Sequence, residues 1–573
     1  MENGSPRLRA EWPCSARYLF FGGKGGVGKT TAACAAALYL LDRARKQDRI
    51  LLFSTDPAHS LSDSLDLEIG DHLVEVARRG KAQLLAREMD AAAALEEFKQ
   101  RYRSVFALIA ERGTLLDESD VDELLGLSLP GLDEVMALFE LSRLERESNY
   151  ARIIIDTAPS GHTWRLLQLP DLFARWLRAL DRLEDKHRFM IEQLARRRAK
   201  KDDEVELFLR ELDERIGQVR GLLYDETRSA FTLVTMPEAM IVEETARYFD
   251  LLRRDRVPVT DLIVNRVERE AAGCKHCRAR ARAQRPWLAR IRRDFKALRI
   301  HTVPLLAEEV RGTRSLRRFA RLAWERGDTA SGGEKKAAKP VARMRERGID
   351  KGFDLSSRRL LIFGGKGGVG KTTSACSAAL ALAQTDDRAR VLVFSTDPAH
   401  SLSDSFDETI GELKQGVAAQ KNLDAMEIDA VARFEHIRNR YLDWIDEGFN
   451  SLTSGSRWQI QFEREAMREL VSLAPPGIDE IIALSTISEL IEGDAYSTIV
   501  LDSAPTGHLV RFLEMPDVAL SWVRTLMKLL IKYKNVIRWT EIAEELIALS
   551  KNIKRVAALL GDPNSCEFIG VAI

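Results

Sequence analysis

The sequence predicts an α/β protein built from two tandem copies of one unit. Each copy is expected to be a doubly wound, mainly parallel sheet flanked by helices, with helical insertions. Three observations predict this. The eleven residues FGGKGGVGKTT occupy 21–31 and recur at 363–373. The stretch FSTDPAHSLSDS at 53–64 recurs unchanged at 394–405. Short apolar, β-rich runs (18–21, 50–54, 152–156, 231–234, 261–264) alternate with long helical patterns. That alternation builds a parallel sheet with ligands at the carboxyl ends of its strands.

The repetition extends further. DTAPSGH from Asp156 returns as DSAPTGH from Asp502, and PGLDE from Pro130 returns as PGIDE from Pro476. Lys29 precedes Asp56 by 27 residues and Lys371 precedes Asp397 by 26. The period is about 340 residues, so the chain is a duplicated domain rather than a solenoid. The expected organisation is a first domain at 1–326, a linker at 327–357 and a second domain at 358–573. The linker carries Ser331-Gly332-Gly333 followed by Lys, Ala, Arg and Glu, a polar composition suited to connecting two units. Aligning Phe568 with Phe231 puts Ile573 beside Met236. The second unit therefore reads as C-terminally truncated, with a naturally degenerate second half as the alternative.

Composition bounds the function. Lys plus Arg (87) equals Asp plus Glu (87), so no global field favours nucleic acid or anionic lipid. Apolar residues are 45% and charged residues 30% of the chain, as in a globular protein with a helix-rich surface. No window approaches 18 consecutive apolar residues, and residues 1–17 lack the apolar run of a signal peptide. Six cysteines, mostly unclustered, fit a reducing compartment. The expectation is a cytoplasmic protein, at the membrane only through a partner.

The repeated loop carries the chemistry. G-x-x-x-x-G-K-[ST] is met by Gly23, Gly28, Lys29 and Thr30, and again by Gly365, Gly370, Lys371 and Thr372. It follows an apolar strand and opens an alanine-rich helix, the context this phosphate loop requires. Both units are thus predicted to be P-loop nucleotidases, ATP being the expected ligand. The binding set is Gly23, Lys24, Gly25, Gly26, Val27, Gly28, Lys29, Thr30 and Thr31 in the first unit. In the second it is Gly365, Lys366, Gly367, Gly368, Val369, Gly370, Lys371, Thr372 and Thr373. Glycines let main-chain N–H groups surround phosphate oxygens, and the helix start adds positive charge. Lys29 and Lys371 would neutralise the β- and γ-phosphates, and Thr30 and Thr372 would ligate Mg²⁺. Asp156 and Asp502 end apolar strands, so they are candidates to organise that ion, through its waters. Asp56 and Asp397 lie just past strands adjoining the phosphate site, where a carboxylate can orient water. A structural cap in the DPAH turn is the alternative for them. His59, His162, His400 and His508 read as structural members of the switch turns.

The additional lysines, Lys24 and Lys366, make the loop resemble the deviant Walker A loop of dimeric ATPases related to MinD and nitrogenase iron protein. STDPAHSLSDSL, DTAPSGHTWRLLQLP and PGLDE narrow the resemblance. They are similar to the family containing the arsenite-pump ATPase ArsA and the ATPase that delivers tail-anchored membrane proteins. The resemblance implies that Lys24 and Lys366 each reach the nucleotide of the other half, across an intramolecular pseudo-dimer; higher oligomers remain open. It implies that Asp56 and Asp397 activate the attacking water. It also likens Asn265 to the family's adenine-reading asparagine, and the segment around Pro304 to its adenine-packing loop. The second copy, aligned as above, has no counterpart of either.

Cys274 and Cys277 form a CxxC. One pair supplies two of four ligands for zinc, so a Zn²⁺ site shared with another pair and free or redox-sensing thiols both stand. Residues 275–299 hold ten Lys and Arg against one acidic residue, a basic helix read here as solvated rather than as a nucleic-acid surface. The resemblance leaves two clients: a hydrophobic, tail-anchored membrane segment, slightly favoured, or a transporter subunit of an arsenite or antimonite efflux pump. Residues 518–536 are amphipathic and apolar enough to help form a client groove, whereas 172–220 are more charged.

Overall fold

The computed structural model describes residues 15–55, 60–113, 132–146, 149–157, 204–269, 274–325, 358–365, 369–395, 401–428, 486–490, 495–502 and 540–572, with isolated helical positions within 433–446 and 516–527. The expected linker lies outside the described residues.

The first half has strands β1 (Tyr18–Gly22), β2 (Arg49–Ser54), β3 (Val74–Arg79), β4 (Ala82–Glu88), β5 (Arg152–Asp156), β6 (Ser229–Thr235), β7 (Val259–Val267) and β8 (Arg299–Pro304). They form one sheet in the order β3-β4-β2-β5-β1-β6-β7-β8. All neighbours are parallel except the β3–β4 pair. Its helices are α1 (Lys29–Leu41), α2 (Ser60–Leu65), α3 (Ala91–Gly113), α4 (Leu132–Arg146), α5 (Glu204–Tyr224), α6 (Ala239–Arg254), α7 (Lys275–Asp294) and α8 (Gly312–Trp324). The second half repeats the sheet with β9 (Leu360–Gly364), β10 (Val391–Ser395), β11 (Gln415–Gly416), β12 (Leu423–Glu427), β13 (Thr498–Asp502) and β14 (Cys566–Gly570). Their order is β11-β12-β10-β13-β9-β14, the same connectivity as the first six strands. Helices α9 (Lys371–Thr385), α10 (Ser401–Phe406) and α11 (Thr540–Leu560) accompany it. The doubly wound α/β class is therefore the one observed.

Two-sided burial explains why these strands are continuously apolar. Side chains alternate along a strand: Leu19 and Phe21 enter one core with α1 and α8, while Tyr18 and Phe20 enter the other with α4, α5, α6 and α7. Leu361 and Phe363 against Leu360 and Ile362 repeat the division. Phe20 stacks on Phe231 with ring centroids 4.4 Å apart. A fully buried side chain of this size contributes about 1.5–3 kcal/mol. Helix α1 is buried from Ala32 to Leu41 because its alanines let it lie close to the sheet without losing helix propensity. Tyr39 meets Trp324 of α8 at 5.4 Å.

Helices α3, α4 and α5 make the helical insertion. Phe98 packs on Phe139 at 5.3 Å and Tyr102 on Phe208 at 4.7 Å. No helix among the described residues is long and apolar enough to cross a membrane. Parallel register confirms the alignment of Phe568 with Phe231: Phe231 faces Phe20 and Phe568 faces Ile362, each one residue before the repeated phenylalanine.

Candidate nucleotide sites

Each phosphate loop leaves the carboxyl end of a central strand where connections diverge to either side of the sheet, the usual place for a ligand crevice. Gly23 has φ +148°, and a Cβ there would lie 2.3 Å from the Val234 carbonyl of β6. A Cβ on Gly365 would lie 2.3 Å from the Val571 carbonyl. The loop can press against the neighbouring strand only because both residues lack a side chain. Gly28 and Gly370 begin α1 and α9 at φ 97° and 91°, in the left-handed region that glycine enters without strain. Neither helix start is capped by a side chain or carries an acidic residue in its first turn. Each presents a positive helix end of the kind that suits an anion.

Lys29 is 6% exposed, and its ammonium donates to the Lys24 carbonyl at 3.3 Å, on the loop itself. Lys371 is buried as well, at 9% exposure. In the second half the Thr372 hydroxyl donates to Asp502 Oδ2 at 2.8 Å, and the Ser395 hydroxyl lies 3.3 Å from the same oxygen. Asp156 ends β5 fully buried; its carbonyl accepts the Thr55 N–H at 3.1 Å, and the Thr157 hydroxyl donates to the Phe21 carbonyl at 2.7 Å. Thr30 opens α1 half-buried. A hydroxyl and a carboxylate converging beside a phosphate loop are an all-oxygen donor set, the chemistry a hard cation such as Mg²⁺ requires.

Lys24 does not extend outward. Its Nζ lies 2.6 Å from Glu244 Oε2 on α6, with side chains 20% and 10% exposed. The same helix meets the second half: Arg247 pairs with Asp404 of α10 at 3.1 Å, and the Ser405 hydroxyl lies 3.8 Å from Met240 Sδ. Helix α6 thus stands between the first loop's extra lysine and the helix following the second DPAH sequence. Asp56, Asp397, Lys366, Gly367 and Gly368 lie outside the described residues, as does most of 518–536. Gly25, Gly26, Val27 and Thr31, with Val369 and Thr373, fall within the loop and first-turn segments of their halves.

Asn265, on β7, reaches the first loop. Its Nδ2 donates to the Val27 carbonyl at 2.9 Å, its Oδ1 accepts the Arg266 N–H at 2.9 Å, and a Cβ on Gly28 would lie 2.5 Å from that Nδ2. Pro304 ends β8, opposite Val267, and the following Leu305 N–H donates to the Val267 carbonyl at 2.9 Å. The two residues expected at the adenine thus lie on the adjacent strands β7 and β8, Asn265 two residues before the end of its strand and Pro304 at the end of its own.

Cys274 caps α7, its Sγ accepting the Cys277 N–H at 3.1 Å. Hydrogen bonds from the Cys277 thiol and N–H draw the Cys274 thiol below its usual range, and the Cys277 thiol is pushed up by the same pairing. Among the described residues no third His, Cys, Asp or Glu completes a metal cluster. The other described cysteines lie in the cores. Burial, with the nearby Asp502 carboxylate, pushes Cys376 up to about 12. Cys566 rises to about 11 through burial, and Cys34 is raised by burial, Asp156 and Glu88.

A model of the anion-transporting ATPase family matches residues 16–324 and 358–573. The chain belongs to that family. It is similar to the protein named ATPase ARSA1 of Chlamydomonas reinhardtii, 30% identical over 97% of this chain and 75% of that one. A putative arsenical pump-driving ATPase of Halobacterium salinarum is 30% identical over 87% of this chain and 74% of its own length. ATPase get3 of Botryotinia fuckeliana is 31% identical over 54% of this chain and 89% of its own. Membership makes this anion-transporting ATPase family member a nucleotide-binding ATPase, and the duplicated match agrees with the duplicated sheet.

Two features escaped sequence reading. Glu244 sits in an ordinary amphipathic helix and gives no signal as a lysine's partner. Glu88 and Glu427, at the ends of β4 and β12, did leave one, because REMD at 87–90 and MEID at 426–429 are a further, weaker repeat.

Proposed function

We propose that this chain hydrolyses ATP to ADP and phosphate at two Mg²⁺-dependent sites and couples that cycle to a membrane-linked task. The observation that carries the reading is the contact of Thr372 with Asp502 at 2.8 Å beside a glycine-capped helix start. Lys29 and Lys371 hold phosphate charge, the loop N–H groups orient the phosphates, and Thr30, Thr372, Asp156 and Asp502 would hold the ion. When bound, Mg²⁺ supplies neutralisation of charge on the phosphate oxygens. Asp56 and Asp397 orient the attacking water. Lys24 and Lys366 deliver a second cation to the opposite half's phosphates, which for Lys24 requires release from Glu244. Asn265 and the turn after Pro304 hold the adenine of the first site.

For the client, we favour a hydrophobic membrane segment over direct activation by arsenite. Trivalent arsenic is bound by soft thiolates. No cysteine lies between Cys34 and Cys274 or between Cys376 and Cys566, and burial holds Cys34, Cys376 and Cys566 protonated. The second reading is a pump-driving role, favoured by similarity across both halves to the relative whose name says so. Zinc at Cys274 and Cys277 needs two donors from elsewhere.

ATP turnover measured with added arsenite, and separately with a transmembrane peptide, tests the choice of client. Stimulation by the peptide alone is expected; stimulation by arsenite alone overturns the targeting reading. Loss of turnover in the Lys29→Ala, Lys371→Ala double variant is expected, and retained hydrolysis overturns the site assignment.

A further inference from the structure

Two buried glutamates make the same unusual contact in the two halves. Glu88 Oε1 accepts the Leu61 N–H at 2.7 Å and the Ser62 N–H at 3.3 Å, and Oε2 lies 2.9 Å from the Ser62 hydroxyl. Glu427 Oε1 accepts the Leu402 N–H at 2.6 Å and the Ser403 N–H at 3.2 Å, and Oε2 lies 2.9 Å from the Ser403 hydroxyl. Each serine Oγ in turn accepts a main-chain N–H, from Ile69 at 3.1 Å and from Ile410 at 3.0 Å. A carboxyl at 1% or 3% exposure is costly unless its hydrogen bonds are complete. Both carboxyls accept main-chain N–H groups from the first turn of α2 or α10.

Those helices begin immediately after the DPAH sequences. The chain before each of these is also held. Thr55 donates its N–H to the Asp156 carbonyl, and the Ser395 hydroxyl meets Asp502. Glu88 and Glu427 sit in register with Ser54 and Ser395, and the next residues, Met89 and Ile428, donate N–H groups to those two serines' carbonyls at 3.2 Å each. The described residues just before and just after 56–59 and 396–400 are therefore both tied to the sheet, and the buried glutamate makes the second tie.

We propose that Glu88 and Glu427 are positioning residues, fixing the start of the helix after each DPAH sequence and thereby the placement of Asp56 and Asp397. The proposal rests on reading those aspartates as the groups that orient water. Placement of the aspartate is therefore read separately from affinity for ATP.

Glu88→Gln and Glu427→Gln keep the side chain's shape and remove one acceptor oxygen. Amide hydrogen exchange at Leu61 and Ser62, or at Leu402 and Ser403, should accelerate about tenfold in the matching variant. Turnover should fall about tenfold with the affinity for a fluorescent ATP analogue changed less than about twofold, since small misplacement of a reacting group acts on kcat. Ser62→Ala, a milder loss of one tie, should reproduce the split at about threefold. A folded Glu88→Gln variant with unchanged kcat overturns the proposal, as does an affinity loss that matches the kcat loss. Unfolding of both Glu88→Gln and Ser62→Ala overturns it as well, because the carboxyl would then serve the fold. A wild-type chain that does not hydrolyse ATP refutes the proposed function instead, and the exchange measurement still decides whether the tie exists.

Discussion

Lys24 Nζ and Glu244 Oε2 are 2.6 Å apart, so the lysine that distinguishes this phosphate loop is held within its own half. The pair is partly exposed, and solvent screening keeps its worth well below that of a buried pair. Glu244→Gln should lower stability by about 1 kcal/mol, read as a fall of a few degrees in the thermal midpoint, with turnover within about threefold of wild type. Lys24→Ala should leave the midpoint near that of Glu244→Gln and cut turnover about a hundredfold, as loss of a charge-stabilising donor does. Equal turnover in the two variants would reduce the pair to a structural contact.

Gly23→Ala places a methyl group 2.3 Å from a main-chain carbonyl at φ +148°, and neither β6 nor the loop can yield without moving the sheet. The expected cost is more than about 1 kcal/mol, with loss of nucleotide binding in the first half. Gly365→Ala meets the Val571 carbonyl at the same distance and should act likewise on the second half. Titration of a fluorescent ATP analogue into each variant should show one site where wild type shows two. Two intact sites in Gly23→Ala would mean that the loop is not the phosphate cradle.

Asp56→Asn should bind ATP within about threefold of wild type and hydrolyse it about 10²–10⁴-fold more slowly, the range for loss of a general acid–base group. Single-turnover measurement separates the two effects. A collapse of binding would make Asp56 a cap of its turn.

Much of this was written in the linear chain because duplication doubles every signal. The loop, the DPAH turn and the strand-ending aspartates repeat as words, and the five apolar runs became β1, β2, β5, β6 and β7. The hairpin of β3 and β4 was less legible. VEVARR is a charged, partly exposed edge strand held by pairing, and the charges in AQLLARE mask the burial of Leu84, Leu85 and Ala86. Position-dependent chemistry was hidden too. The short repeat REMD/MEID marks Glu88 and Glu427 without saying what they touch, which emerges only when β4 and β12 bring them beside α2 and α10. Nothing marks Glu244 until α6 crosses the loop.

Asp261 isolates a stability effect from the chemistry, because it lies near the start of β7, at the end of the sheet away from the loops. Its side chain is 1% exposed, pairs with Arg299 at 2.7 Å, contacts His301 Nε2 at 2.9 Å and accepts the Thr260 hydroxyl at 2.7 Å. Burial alone would raise this carboxyl. Hydrogen bonds from His301, Arg299 and Thr260 outweigh it and hold the group below the usual carboxylate range. A carboxyl whose pKa is lower folded than unfolded binds protons more readily when unfolded. Its stabilisation is therefore complete above the ordinary carboxylate pKa and is lost as pH falls toward the folded value. Asp261→Asn should cost about 3–5 kcal/mol at neutral pH, as breaking a buried pair does. Urea unfolding of the first half's sheet, followed from pH 7 downward, should show wild type losing stability faster than the variant until the two curves approach each other. A gap that stays constant or widens on acidification would mean that the pair does not set the carboxyl's charge, and ATP affinity at neutral pH should be unchanged throughout.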